Sequence, residues 1–262
     1  MSIHPGRQAR LNAFRYRPEE IAARVGGIRR AVLSTSKHIN VGNFAAIGRD
    51  DLETLYVLYD SAFFNGLLAD WLAEDRAGTL GFRVSSRMTR AGGKTIRTRA
   101  RPTRKAPAPP AEYEIAVSST LLFQTFGDVA RPVEVVGLAC RDRLDALQRI
   151  FEHELIHLAE FLALGTSSCS AEPFQAVARS MFGHLKAVHD LVTPRELAAT
   201  THDLGVGHLV SFDHDGLRRI GRINRITRRA TVLVESPNGR LFTDGRRYET
   251  YYVPLEMLRK VE

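Results

Sequence analysis

His153-Glu154-Leu155-Ile156-His157 lies near the end of a helix-patterned run from about Leu144 to Leu164. Two histidines four apart share one helical face, about 6 Å apart along the axis, so both imidazoles can reach one metal ion. Neutral imidazoles suit Zn2+, which acidifies a bound water toward neutrality. Glu154, beside the first histidine, stands where a general base would take that water's proton as it attacks a carbonyl. The pattern points to amide hydrolysis. An amphipathic helix carrying these residues by chance is the plainer alternative. Leu144, Leu147, Ile150, Phe151, Leu155 and Leu158 recur at helical spacing and argue against it, because unpaired histidines on a mostly buried helix are costly.

The chain has 262 residues, enough for one large domain or two smaller ones. With 44% hydrophobic and 25% charged residues it reads as a soluble globular protein. It has no apolar run of transmembrane length and no signal-peptide-like start, so no membrane partner is expected. A cytoplasmic location follows, nucleoid-associated if its basic surfaces meet DNA. Cys140 and Cys169 are too few for a disulfide framework and are expected as thiols. A net charge of +8 favours polyanionic partners. Only five of the 37 basic residues are lysine, however, and an arginine bias of that kind can also reflect codon composition.

Residues 1–48 are arginine-rich and weakly patterned, and read as a partly ordered arm; Pro18 opens a short helix that Gly26-Gly27 would interrupt. Asp50, with Glu53 three residues on, looks like the N-cap of a helix running to about Phe64. Phe82–Ser85 and Tyr113–Val117 alternate like strands. From Phe82 to Ala111 there are nine Lys/Arg and no acid, a stretch ending in Pro107-Ala108-Pro109-Pro110 that reads as a solvated loop or as a basic flap beside the active site. Gly165–Ser168 breaks the zinc helix, and Phe174, Val177, Ala178, Met181 and Phe182 mark a second helix folding back on it. Extended straight, that helix would carry His184 and His189 about 20 Å or more away, as structural or surface groups. From about Gly205 short β-like runs take over: His208–Phe212, Arg219–Ile226, Ala230–Val234 and Tyr248–Val253. Turn signals at Asp215-Gly216, Pro237-Asn238-Gly239 and Asp244-Gly245 separate them, which suggests a small SH3-like or OB-like barrel.

The chain resembles the SprT-like metallopeptidases, the family that includes the Spartan-type proteases acting on DNA-bound proteins. Leu55-Tyr56 to Tyr59-Asp60 and Phe63-Phe64-Asn65-Gly66-Leu67 are similar to the family's first helix and its ending. Arg87-Met88, Ala91-Gly92, Ile115–Ser118 and Leu121-Leu122 are similar to elements ahead of the zinc helix, and His153–His157 completes the match over about Asp50 to His189. The resemblance implies a zincin-like α+β domain, Zn2+ held by His153 and His157, Glu154 as catalytic base, and protein substrates associated with nucleic acid. It also implies a third ligand from a histidine that opens the next helix, and here the chain departs. Ser170-Ala171-Glu172-Pro173-Phe174 places serine there. Serine is a poor zinc ligand and Ser170 more naturally caps the helix. Cys169, one residue away, is the first choice, since a thiolate binds zinc well; Glu172 is the second. Glu160 shares the histidines' face about 10 Å beyond His153, too far for the same ion but open to a supporting role. A closed structural site should have four protein ligands, and three plus water favours catalysis.

In the C-terminal segment, Arg222, Arg225, Arg228 and Arg229 crowd within nine residues, with Tyr248, Tyr251 and Tyr252 further along. Guanidinium groups meet phosphates and aromatic faces stack on bases, so these four arginines are candidate DNA- or RNA-binding residues; an exposed charged strand pair that packs or binds protein is the other reading. The expectation is an arm over 1–48, a zinc metallopeptidase domain over 49–195 and a small basic β-barrel over 203–262, acting on protein or peptide substrates. The alternative is a zinc-stabilised nucleic-acid-binding protein without protease activity.

Overall fold

A computed structural model describes residues 5–75, 79–99, 110–127 and 131–261. They form a mixed α+β structure in two compact units. The first takes in the described residues up to Phe126 and Arg131–Leu191; the second takes in Gly127 and the described residues from Val192 on. The division falls before residue 195, because the helix opened by Thr193-Pro194 groups with the second unit. Among the described residues no helix is long and apolar enough to cross a membrane.

The first unit is built in chain order from α1 (Pro5–Ala13), α2 (Pro18–Thr35), α3 (Arg49–Tyr59), α4 (Leu67–Glu74), strands β1 (Leu80–Ser85), β2 (Gly93–Thr98) and β3 (Glu112–Ser118), α5 (Ser119–Gln124), the short pair β4 (Glu134–Val135) and β5 (Leu138–Ala139), then α6 (Arg143–Leu164) and α7 (Glu172–Phe182). α6 is its centre. Asp142 caps α6 by accepting the Asp145 N–H at 3.0 Å, and Gly165, at φ 72°, turns the chain out of it. Of its 22 residues 16 are buried, so it is surrounded on nearly all sides.

The expected arm is part of this core. α1 and α2 bury Leu11, Ile21, Val25, Ile28 and Val32 in the same cluster as Leu147, Phe151 and Leu155 of α6. Arg29 of α2 pairs with Asp142 at 2.5 Å and Asp145 at 2.8 Å, holding the start of α6, while Arg7 of α1 donates to Leu162 O at 3.0 Å near its end. α2 also runs on through Gly26-Gly27, because burial of its Ile/Val stripe outweighs a propensity cost of about 1 kcal/mol per glycine. The cap of α3 is shifted from Asp50: Gly48 stands at the N-cap and the Asp51 carboxylate accepts its N–H at 2.7 Å. Past Tyr59 the coil widens into a π-turn, Asp60–Phe64, and Asp60 accepts the Leu68 and Ala69 N–H groups at 3.0 and 3.1 Å to start α4.

The three-stranded sheet has the order β1-β3-β2, β1 parallel and β2 antiparallel to β3. Part of the stretch between the two expected strands is therefore strand, not loop: Gly93–Thr98 pairs with Glu112–Val117 in full register. Residues 100–109 of the basic run, the proline-rich part included up to Pro109, lie outside the described residues.

The second unit holds α8 (Pro194–His202), capped by Thr193 Oγ1 accepting the Glu196 N–H at 3.2 Å, and strands β6 (Leu209–His214), β7 (Leu217–Ile226), β8 (Ala230–Leu241), β9 (Arg247–Val253) and β10 (Arg259–Lys260). The sheet order is β10-β6-β7-β8-β9. It is an open antiparallel sheet, not the closed barrel expected: β10, two residues long, and β9 are its edges and share no ladder among the described residues. Pro237-Asn238-Gly239 does not end a strand either. It lies inside β8 as an irregularity, with both Glu235 and Arg240 opposite Tyr248. The Ile220/Ile223/Ile226 spacing is resolved by a bulge between Ile223 and Arg225, which brings Ile223 and Ile226 to the same buried side while Ile220 stays exposed.

Ile28 is 4% exposed within the common core. Ile28→Ala should lower the unfolding free energy by about 2–4 kcal/mol in a urea titration; an unchanged midpoint would return residues 5–35 to the status of an arm.

Candidate metal centre

His153 and His157 face the same side of α6, and their Nε2 atoms stand 3.2 Å apart. The connector after Gly165 brings Cys169 to them, so that the two imidazole nitrogens and the thiol sulfur all lie within 4.8 Å of one another. The donor set suits zinc. Two nitrogens at normal Zn–N distance in a tetrahedral shell are about 3.3 Å apart, so the 3.2 Å spacing, which in metal-free protein also allows one N–H···N hydrogen bond between the rings, fits a shared zinc. Both rings pack on Phe174, the first apolar residue of α7, at centroid distances of 4.9 and 4.5 Å.

His157 is also oriented from behind. Ser167 Oγ donates to Glu160 Oε2 at 2.5 Å and stands 2.7 Å from His157 Nδ1. A hydroxyl has one proton, so with it committed to Glu160 the oxygen accepts from His157 Nδ1–H, and the Nε2 lone pair faces Cys169 and His153. Glu160 has the supporting position its spacing allowed, through a serine that the sequence did not single out. His153 has no such brace: its Nδ1 is buried without a partner among the described residues.

Glu154 is 4% exposed and is held by β2. The Thr95 hydroxyl lies 2.8 Å from its Oε2, and Thr95 also gives the carboxyl a backbone N–H. The strand can approach this closely because residue 93 is glycine. A Cβ there would stand 2.7 Å from Glu154 Cγ and Oε1 and from Ile150 Cγ2, closer than real contacts allow. Burial pushes the Glu154 carboxyl up to about 7, against the lowering pull of Thr95. Burial also pushes His153 down to about 3 and His157 down to about 4, so both imidazoles are neutral at ordinary pH, the form a metal requires.

These residues line one cavity of about 530 Å³ with Ile150, Phe161, Val135, Val136, Val188 and His189 in its walls. The place of His189 and His184 differs from expectation. Gly183, at φ 70°, ends α7, and the chain turns back to pair with β4, Val136 N–H bonding Val188 O at 2.9 Å. His189 thus reaches the cavity, accepting the Gly92 N–H at 2.9 Å on Nε2. His184 is buried on another side of α6, 2.9 Å from Glu152 Oε2.

Glu172 is not drawn into the cluster. Its side chain is 78% exposed and faces Arg179 at 3.6 Å. Ser170 does not cap α7: that place is taken by Ala171, and the Ser170 hydroxyl lies 3.0 Å from that of Ser168. Arg222 and Arg225 are exposed on β7, and Arg228 and Arg229 in the turn after it, all in the second unit.

Ser167→Ala should weaken zinc binding about 10- to 100-fold in competition with a chromophoric chelator, with Ser167→Thr restoring most of it; equal affinities would remove Ser167 and Glu160 from the site. The folded-state value of about 7 for Glu154 exceeds its ordinary 4.5. The folded chain therefore binds the extra proton between those values, and the carboxylate costs stability as pH rises through that window. In metal-free protein the gain in stability from Glu154→Gln should thus grow between about pH 5 and pH 7.5 in paired denaturant titrations.

No protein-family model, no curated protein and no solved structure matches this chain.

Proposed function

We propose that the chain is a zinc-dependent peptidase, its first unit zincin-like and related to the SprT-like metallopeptidases, its second an SH3-like sheet. The observation that carries this reading is the placement of a buried carboxyl, Glu154, in the wall of the cavity that also holds His153, His157 and Cys169. Zinc bound to those three would supply a Lewis acid and an acidified water. The chain supplies the rest. Glu154, with a carboxyl near neutrality and anchored by Thr95, is suited both to take a proton and to return it to the departing amine. Neutral His153 and His157 keep their lone pairs for the metal, and the Glu160–Ser167 pair fixes one of them. Ile150, Phe161 and Val136 exclude water around the bond to be cut.

Elemental analysis and a quenched-fluorescence casein assay test this together. Zinc near one per chain should be lost in His157→Ala and reduced in Cys169→Ser. Glu154→Gln should keep the zinc and lose at least about 100-fold in hydrolysis. Zinc-loaded wild type no faster than Glu154→Gln would sink the peptidase and leave the non-proteolytic alternative.

A nucleic-acid partner has its own observation. Arg222, Arg225, the half-exposed apolar Ile220 and Tyr252, 69% exposed, lie in registered positions of one sheet face: Arg225 and Tyr252 both stand opposite Thr231. Cations beside an uncovered aromatic ring suit a single strand's phosphates and bases. Arg222→Ser with Arg225→Ser should weaken binding of a single-stranded oligonucleotide and flatten its salt dependence by about one to two in slope; an unaltered slope would assign this face elsewhere.

A further inference from the structure

The cavity beside Glu154 holds positive charge that its surroundings leave unused. Arg90 and Lys94 line it, both exposed, and neither has an ion pair with any described residue. Among the described residues the only acid in the lining is Glu154 itself, held by Thr95. Acids just outside are committed: Glu134 pairs with Lys186 at 3.1 Å, and Asp190 meets Arg131 at 3.4 Å and accepts the Glu134 N–H at 2.6 Å. Other cations of the same stretch are used as well. Arg83 pairs with Glu114 at 2.8 Å, and Arg97 donates to Gly165 O at 2.5 Å; Arg87 and Arg99 are not in the lining.

The backbone that presents the two cations is fixed. Gly92 lies between them, its N–H bonded to His189 Nε2 at 2.9 Å and its carbonyl accepting from Ser118 N–H at 2.8 Å. Gly93 is pressed against Glu154 and Ile150. Arg90 and Lys94 therefore leave a pinned glycine turn at the cavity, and the walls behind them are Val135, Val136, Ile150, Phe161 and Val188. An occupant matching this lining has an apolar body and one or two negative charges. About 530 Å³ accommodates a short peptide segment, whereas a nucleic-acid strand is better served by a longer track of cations than by two at one pocket.

We propose that Arg90 and Lys94 select a carboxylate near the bond presented to Glu154, so that the substrates are peptides with Asp, Glu or a free C-terminus beside the cleavage point. This rests on the peptidase reading and adds a substrate class to it.

The test uses full-length, zinc-loaded Glu154→Gln protein and three fluorescent peptides of one alanine–leucine frame: one with two Glu residues and blocked ends, its Gln counterpart, and the Gln peptide with a free C-terminal carboxylate. Fluorescence anisotropy should show the Glu peptide, the free-carboxylate peptide or both binding about tenfold tighter than the neutral one. Which of the two gains identifies the source of the carboxylate. The preference should shrink in about 0.5 M salt. It should fall to twofold or less in Arg90→Ser/Lys94→Ser, with each single variant losing part and the zinc content unchanged. Equal affinities, absence of binding by all three, or a preference that survives the double substitution would overturn the proposal. So would displacement of the Glu peptide by a single-stranded oligonucleotide that binds more tightly at the same residues. Hydrolysis by wild type separates the two readings. Discrimination in binding with no cleavage removes the peptidase and leaves the carboxylate site; cleavage of the Glu, Gln and free-carboxylate peptides at equal kcat/KM removes the carboxylate site and leaves the peptidase.

Discussion

A helix enclosed on nearly all sides can carry polar side chains only where each finds a partner, and α6 carries five inside the first unit: Arg143, Gln148, Glu152, Glu154 and Glu160. The surrounding elements are arranged to meet them. Arg143 is taken up by carbonyls, including those of Phe44 and, at 2.8 Å, Leu122. Gln148 donates to Val25 O at 3.1 Å, which ties α2 to the centre. Glu152 is met by Tyr59 at 2.8 Å, Arg149 at 3.0 Å and His184 at 2.9 Å. Glu154 has Thr95 and Glu160 has Ser167. Apart from Arg149, which is on α6 itself, the partners come from other parts of the chain, so satisfying one helix determines where α2, α3, β2 and the connector before α7 must lie.

That arrangement also gives three of the 37 basic residues an internal role. Arg7, 6% exposed, bridges Glu74, Asp75 and the end of α6, Arg29 braces its start, and Arg143 is buried under Phe44 and Phe123. Arginine's planar fork suits such multi-carbonyl and bidentate roles better than lysine's single ammonium. An arginine-rich first 50 residues therefore need not signal a polyanion, and here several are internal struts.

The parts legible in the sequence were those with local causes. The apolar spacing of α6 and the i, i+4 histidines marked the centre and two candidate donors, and Cys169 came from the resemblance, as the thiol beside the serine that stands where the family has its histidine. Thr95 and Ser167 were not legible, because each acts through a contact made only on folding and neither residue type is unusual in a strand or loop. β2 lacks clean alternation and exists through its pairing with β3. His189 was misplaced because one left-handed residue, Gly183, decides whether the chain continues outward or returns. The strands of the second unit were visible in their alternation, and Pro237-Asn238-Gly239 did mark a break in the pattern, but whether it ends a strand or interrupts one is decided by pairing with β9, as is which strands meet at the sheet's edges.

Glu152 and Glu154 are two positions apart on α6 and so project to roughly opposite sides of it. One is gripped by Tyr59 and His184, the other by Thr95 of β2. Rolling the helix about its axis would break one grip or the other, which leaves it a single angular phase. The direction in which His153 and His157 look is thereby set in part from the far side of the helix, by a tyrosine and a histidine that never see the cavity.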